Sequence, residues 1–180
     1  MRKVIMWNMV TPEGYFEAPG HDLSWFVFDD ELGAYITDSQ RQANLLLFGR
    51  ITYQMMAAYW PGAEGQIADF MNSVEKVVFS RTLKRADWVN TRLVGDDVPG
   101  EVRRLKAAGS GDIFVFGSAD LAATLVGNGL VDEFRFGINP VLLGSGTPLL
   151  KAGFARIGLE LLSARPLKSG VVILHYAPRR

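Results

Sequence analysis

The 180-residue chain is most simply one domain spanning residues 1–180, large enough to bury a core without covalent staples. It has no cysteine, which excludes disulfides, thiol catalysis and thiolate metal sites. Nineteen basic and nineteen acidic side chains leave no net charge, so the field expected of a nucleic-acid or acidic-membrane binder is missing.

Arg2 and Lys3 precede apolar residues, but the run stops at Trp7, and Asn8, Thr11, Pro12 and Glu13 follow. This reads as a first strand over residues 4–10, not as a secretory signal, and no stretch is long enough for a membrane span; the expected location is the cytoplasm. Thr11-Pro12-Glu13-Gly14 is a turn, and residues 15–23, with Pro19, Gly20 and His21, read as loop. Asp29-Asp30-Glu31 suits the opening of a helix that runs to about residue 43. Residues 45–48 form a second apolar strand closed by Gly49-Arg50. A helix carrying Thr52, Tyr53, Met55 and Met56 follows and ends before Trp60-Pro61-Gly62. Ile67, Phe70 and Met71 mark a short helix, and residues 77–79 a third strand that ends at Ser80-Arg81-Thr82. Residues 88–94 alternate as a strand does, and 97–108 read as a helix with Pro99 in its first turn.

The chain's organising stretch is 112–150. Ile113-Phe114-Val115-Phe116 is the unbroken apolar run of a strand buried on both faces, and it stops at Gly117. Ser118 suits a helix N-cap, Asp120 places a negative charge in the first turn, and Leu121, Leu125 and Val126 recur at helical spacing. From Val131 the period becomes two, with Phe134, Phe136 and Ile138 on one face. Residues 157–164 and 171–176 follow as a β-hairpin joined through Arg165 to Gly170. Strands alternating with helices and a β-rich finish predict an α/β fold, a mostly parallel mixed sheet with antiparallel C-terminal strands.

Three buried strands finish alike, at Phe48-Gly49-Arg50, Phe79-Ser80-Arg81 and Phe116-Gly117-Ser118. A small residue between a strand and a helix leaves backbone N–H groups open to an anion, and forked arginine donors match phosphate oxygens. Such a set suits the pyrophosphate and further phosphate of an NADP-type cofactor. The plainer alternative makes the turns ordinary βα loops, Arg50 a helix-surface residue and Arg81 a solvated one. There is no G-x-G-x-x-G after a strand and no G-x-x-x-x-G-K-[ST]. His21 and His175 lack ligand-spaced neighbours, so no metal and no serine triad are expected.

Taken together, these residues resemble the dihydrofolate reductase superfamily, in the branch similar to the reductase domain of bacterial riboflavin biosynthesis. The resemblance rests on residues 4–14, the run Leu46-Leu47-Phe48-Gly49-Arg50-Ile51-Thr52-Tyr53, and residues 77–82 and 115–121. Gly129-Leu130-Val131-Asp132-Glu133 and the stretch from Asn139-Pro140 to Gly144-Ser145-Gly146 complete it. It implies a three-layer α-β-α sandwich and an NADPH-dependent reductase of a planar heterocycle, such as a ribosylated or ribitylated aminouracil phosphate or a pterin, working as a homodimer without nucleic acid or membrane. It implies that Gly49, Arg50 and Thr52 contact cofactor phosphates or ribose. Ser80 and Arg81 would lie at the adenosine 2′-phosphate, and Gly117, Ser118, Ala119, Asp120 and Leu121 would cradle the pyrophosphate. Asn8 and Met9 would flank the nicotinamide with Gly14 beyond, next to Glu13, where an aspartate is usual. Ser24 and Trp25 would touch cofactor or substrate, with a core role the alternative for Trp25.

The substrate half of the family pattern is less well kept. The position of the folate reductases' helical carboxylate falls near Gly33, and that of the riboflavin-pathway reductases' substrate glutamate is Val115. No catalytic acid is assigned from the sequence. A nucleotide- or flavin-binding protein that keeps the pocket without turnover is the competing expectation.

Overall fold

The strand at residues 112–115 owes its place in the middle of the sheet to its composition. Ile113, Phe114 and Val115 are fully buried, each worth about 1.5–3 kcal/mol of apolar transfer, which only a strand covered on both faces can realise. In the computed structural model, which describes residues 1–179, ten strands and five α-helices follow in the order β1 (Val4–Val10), β2 (Tyr15–Glu17), α1 (Asp30–Gln40), β3 (Ala43–Gly49), α2 (Arg50–Tyr59), α3 (Gln66–Ser73), β4 (Glu75–Phe79), β5 (Thr91–Val94), α4 (Val98–Ala107), β6 (Asp112–Val115), α5 (Ala119–Gly127), β7 (Glu133–Ile138), β8 (Thr147–Pro148), β9 (Leu159–Pro166) and β10 (Val172–Pro178). Eight strands make one sheet in the order β5-β4-β3-β6-β1-β7-β10-β9, and β2 pairs with β8 in a second, two-stranded sheet. The first six strands of the main sheet run parallel. Strands β10 and β9 are antiparallel, as the sequence pattern predicts.

Alternate residues of the central strands feed two cores, one on each face. Met6, Leu47, Val77 and Val115 pack with Val102 and Leu105 of α4 and with Leu121 and Leu125 of α5. Ile5, Trp7, Leu46, Phe48 and Phe114 pack on the other face with Leu32 of α1, Tyr53 of α2 and Met71 of α3. The result is a three-layer α-β-α sandwich. Local signals start the helices as expected in two cases. Asp29 accepts from the Leu32 N–H at 2.8 Å and Asp97 from the Gly100 N–H at 3.0 Å, side-chain caps of a kind worth about 0.5–2 kcal/mol each.

Several boundaries differ from the sequence reading. Helix α1 stops at Gln40 because the chain must re-enter the sheet at Ala43. Residues 88–90 are not strand. Trp88 instead lies buried against Phe48 and Tyr53, and its indole N–H donates to Asn72, so the alternation there reports packing. Strand β2 lies in the segment read as loop, and its partner β8 in a stretch given no element, both being too short to carry a period. The C-terminal hairpin turns at Leu167 to Val171, its first strand ending two residues later and its second beginning one residue later than expected. At β9 every residue is exposed, Leu159, Leu161 and Leu162 included.

Candidate functional site at the carboxyl edge of the sheet

The three strand ends singled out by sequence lie on neighbouring strands, since β4, β3 and β6 are consecutive in the sheet and β1 follows. In an open α/β sheet this carboxyl edge is where ligands bind. The corners are built differently from the simple expectation of open glycine turns. Gly117 and Ser118 adopt left-handed conformations in succession, with φ of 57° and 62°. Ser118 occupies the N-cap position of α5 but makes no cap with its side chain. Its hydroxyl reaches sideways, accepting from the Gly49 N–H at 2.8 Å and donating to Thr52 Oγ1 at 2.8 Å. The Gly117 N–H donates to Asn8 Oδ1. Both glycine amides nominated for an anion are therefore already engaged. What remains without a side-chain cap is the first turn of α2 and of α5.

These contacts explain the glycines. A Cβ at Gly117 would stand 3.0 Å from Thr52 Oγ1, and one at Gly49 3.1 Å from Ser118 Oγ. Arg50 opens α2, is exposed, and donates to Gln54 at 3.0 Å. Ser80 Oγ accepts from the Thr82 and Leu83 N–H groups, shaping the turn after β4 that carries the exposed Arg81. In the first turn of α5, Asp120 pairs with Lys151, while Ala119 and Leu121 are buried.

Beside the corners opens a cavity of about 350 Å³. Its floor is Trp7, Asn8 and Met9 of β1 with Phe116 and Gly117, and one wall is Thr52, Met55, Met56 and Tyr59 of α2. The opposite wall is Leu32, Ile36 and Gln40, one face of α1, and the segment Leu23 to Phe28 closes over it with Phe16 and Glu17 of β2. That covering segment is tied down by Asn139, which is fully buried and accepts from the Val27 N–H at 3.0 Å while donating to the Gly137 carbonyl at 3.1 Å. Asn8 Nδ2 is buried without a partner among the described residues, although its oxygen is used.

Of the residues picked from sequence, Asn8, Met9, Thr52 and Gly117 line the cavity. Glu13, Gly14, Ser24 and Trp25 do not. Glu13 accepts from the Leu143 and Gly144 N–H groups and so braces a loop. Ser24 is exposed, and the Trp25 indole donates to the Asp22 carbonyl while its ring meets Phe26. Sequence reasoning missed Glu17, a carboxylate 5% exposed that lines the cavity and bonds His21 at 2.9 Å. It also gave no site role to Met55, Met56 and Tyr59, whose spacing is equally that of a helix packed on a core. The Gly33 position carries no acid, and a Cβ there would meet the Phe28 ring. Among the described residues no helix is long and apolar enough to cross a membrane, and no cluster of three or more His, Asp or Glu could hold a metal.

A family model described as "RibD C-terminal domain" matches residues 2–173. The uncharacterized protein YyaP of Bacillus subtilis is 34% identical over 180 residues, covering 97% of this chain and 94% of that one. Among solved structures, a putative riboflavin biosynthesis protein from Shewanella is similar with a TM-score of 0.84 at 17% identity, each chain covered to 99%. The deaminase and 5-amino-6-(5-phosphoribosylamino)uracil reductase of Thermotoga maritima matches at 0.72 and 13% identity, over 99% of this chain and 57% of that one. Dihydrofolate reductase from Enterococcus faecalis, solved with NADP(H), matches at 0.69 and 13% identity, over 99% and 97%.

Proposed function

The chain belongs to the RibD C-terminal domain family, and from that premise we propose that it is an NADPH-dependent reductase of a planar heterocyclic substrate. The observation that carries the reading is the shared edge: the β4, β3 and β6 corners stand side by side, next to a cavity floored by β1. The residues present suit the cofactor. The first-turn amides of α2 and α5 offer two adjacent helix N-termini to a pyrophosphate. Arg50 and Arg81 flank them with permanent positive charge, and Lys151 offsets the Asp120 carboxylate there. The unpartnered Asn8 amide nitrogen supplies a donor beside the nicotinamide ring or the substrate.

When bound, the cofactor supplies a hydride. The chain's own contribution is to hold the ring against Trp7, Met9 and Phe116, and to keep water out with the segment anchored by Asn139. Glu17, bonded to the largely exposed His21, connects the cavity to solvent protons. We place the protein in the cytoplasm as a homodimer. The exposed Leu159, Leu161 and Leu162 on edge strand β9 support self-association. The test is NADPH oxidation followed at 340 nm with a panel of pterins, aminouracils and other flat heterocycles. Turnover with one of them and none with NADPH alone is expected. NADPH binding without turnover on any acceptor would favour a ligand-binding protein that has kept the pocket.

A further inference from the structure

One structural relative is a reductase whose substrate carries a phosphoribosyl group, and this cavity has no positive charge to meet such a group. Among the described residues no lysine or arginine lines it. The face that α1 turns toward it is Leu32, Ile36 and Gln40, and α2 contributes two methionines and Tyr59. The one carboxylate on its wall, Glu17, is 5% exposed. A phosphate or carboxylate entering this space would lose its hydration, meet no cation, and face a like charge in a low-dielectric setting. The polar groups point to the opposite kind of ligand. Asn8 has a buried amide nitrogen with no acceptor, and the Glu17 carboxylate accepts from an N–H or a cation. About 350 Å³ is at the small end of ligand pockets, which run from roughly 300 to 1,000 Å³, and it suits one or two fused rings.

We infer that the cavity takes a neutral or weakly basic planar ring with a carbonyl-type acceptor for Asn8 and an N–H beside Glu17, and rejects anionic substrates, including those with a phosphate arm. The inference rests on the reductase reading only for what becomes of the ring, because binding is measured without hydride transfer. Arg50 and Arg81 of the neighbouring corners, assigned above to the dinucleotide, are not among the residues that line the cavity.

The experiment compares paired ligands that share a ring and differ in whether they carry an anionic group. Binding of 6-methylpterin and pterin-6-carboxylate, and of a ribosylaminouracil and its 5′-phosphate, is titrated by fluorescence and calorimetry with and without saturating NADPH, whose own binding is measured separately. The neutral member of each pair is expected to bind at least tenfold more tightly than the anion. The Glu17→Gln variant, checked for an unchanged fold by circular dichroism, is expected to narrow that gap at least threefold. Equal or tighter binding of the anions overturns the inference, whatever NADPH does, and so does failure of every ring to bind. A Glu17→Gln gap as wide as that of the parent chain overturns the role of that carboxylate. If NADPH fails to bind while the neutral rings bind selectively, the reductase reading falls and the cavity's preference stands.

Discussion

The Ser118 hydroxyl, 2.8 Å from the Gly49 amide, ties the β6–α5 corner to the β3–α2 corner and donates its own hydrogen bond to Thr52 Oγ1. One small side chain thus fixes the spacing between two helix N-termini. The left-handed backbone at Ser118 is what turns that hydroxyl away from its own helix and toward the neighbouring one.

Replacing Ser118 with alanine strands the Gly49 N–H and removes the Thr52 partner. A buried donor left unsatisfied costs about 1–3 kcal/mol, so Ser118→Ala is expected to lose stability of that order in urea or guanidinium unfolding. Ser118→Gly loses the same hydrogen bonds, but glycine accepts a φ of 62° without strain, so part of that loss returns. Both variants should weaken NADPH at least threefold in a fluorescence titration, because the corner spacing is shared. Unaltered affinity in both would show that the brace serves the fold alone.

Gly117→Val tests the same corner by crowding. The residue sits at φ 57°, and a Cβ would press to 3.0 Å of Thr52 Oγ1 and 3.1 Å of its methyl. A β-branched side chain there suffers both the left-handed penalty, about 1–2 kcal/mol, and the contact. The expectation is a lower melting temperature together with loss of NADPH binding. Gly117→Ala should show both effects in milder form, separating the backbone cost from bulk. A Gly117→Val protein with parental melting temperature and affinity would show that this corner is neither strained nor part of the site.

The strand ends were legible in the sequence because buried parallel strands announce themselves as solid apolar runs that stop at small residues. Leu45 to Phe48, Val77 to Phe79 and Ile113 to Val115 need no context to be recognised. The cavity wall was not legible, because its residues come from separate elements and look like core. Met55 and Met56 have ordinary helical spacing, and Glu17 sits in a three-residue strand whose partner, Thr147–Pro148, is 130 positions away. Ser118 shows a subtler limit. Its place as N-cap was readable, but the direction of its hydroxyl depends on backbone dihedrals that composition does not encode. Conversely Glu13, chosen for its place in a turn, is consumed by the Leu143 and Gly144 amides, a long-range contact invisible to local reading.

Arg81→Ala is expected to weaken NADPH at least tenfold and NADH little, since the guanidinium is exposed at the end of β4 and its charge would meet the extra phosphate. Because Arg81 is exposed, the melting temperature should stay within a degree or two of the parent, so the effect reads binding alone. Kd values for the two dinucleotides decide it. Equal losses for both would move the 2′-phosphate away from the β4 corner.

Lys76 supplies a pH test of the fold. It is fully buried on β4, donates to the carbonyls of Met71 at 2.8 Å and Val74 at 2.7 Å, and lies 4.5 Å over the Trp88 ring. Burial lowers its pKa from 10.5 to about 8. Below about pH 8 the amine is charged in both folded and unfolded chains, and the folded state bears the whole desolvation cost. Between about 8 and 10.5 the folded protein releases the proton while the unfolded chain keeps it, so the unfolded state binds more protons and stability rises with pH. Above 10.5 both forms are neutral and the gain is complete. In Lys76→Met that alkaline gain is absent, so the difference in melting temperature, variant minus parent, should fall steadily across the window as the parent gains and the variant does not. A difference that stays flat from pH 7.5 to 10.5 would mean the amine keeps its proton throughout, held by the carbonyls and the indole face in spite of its burial.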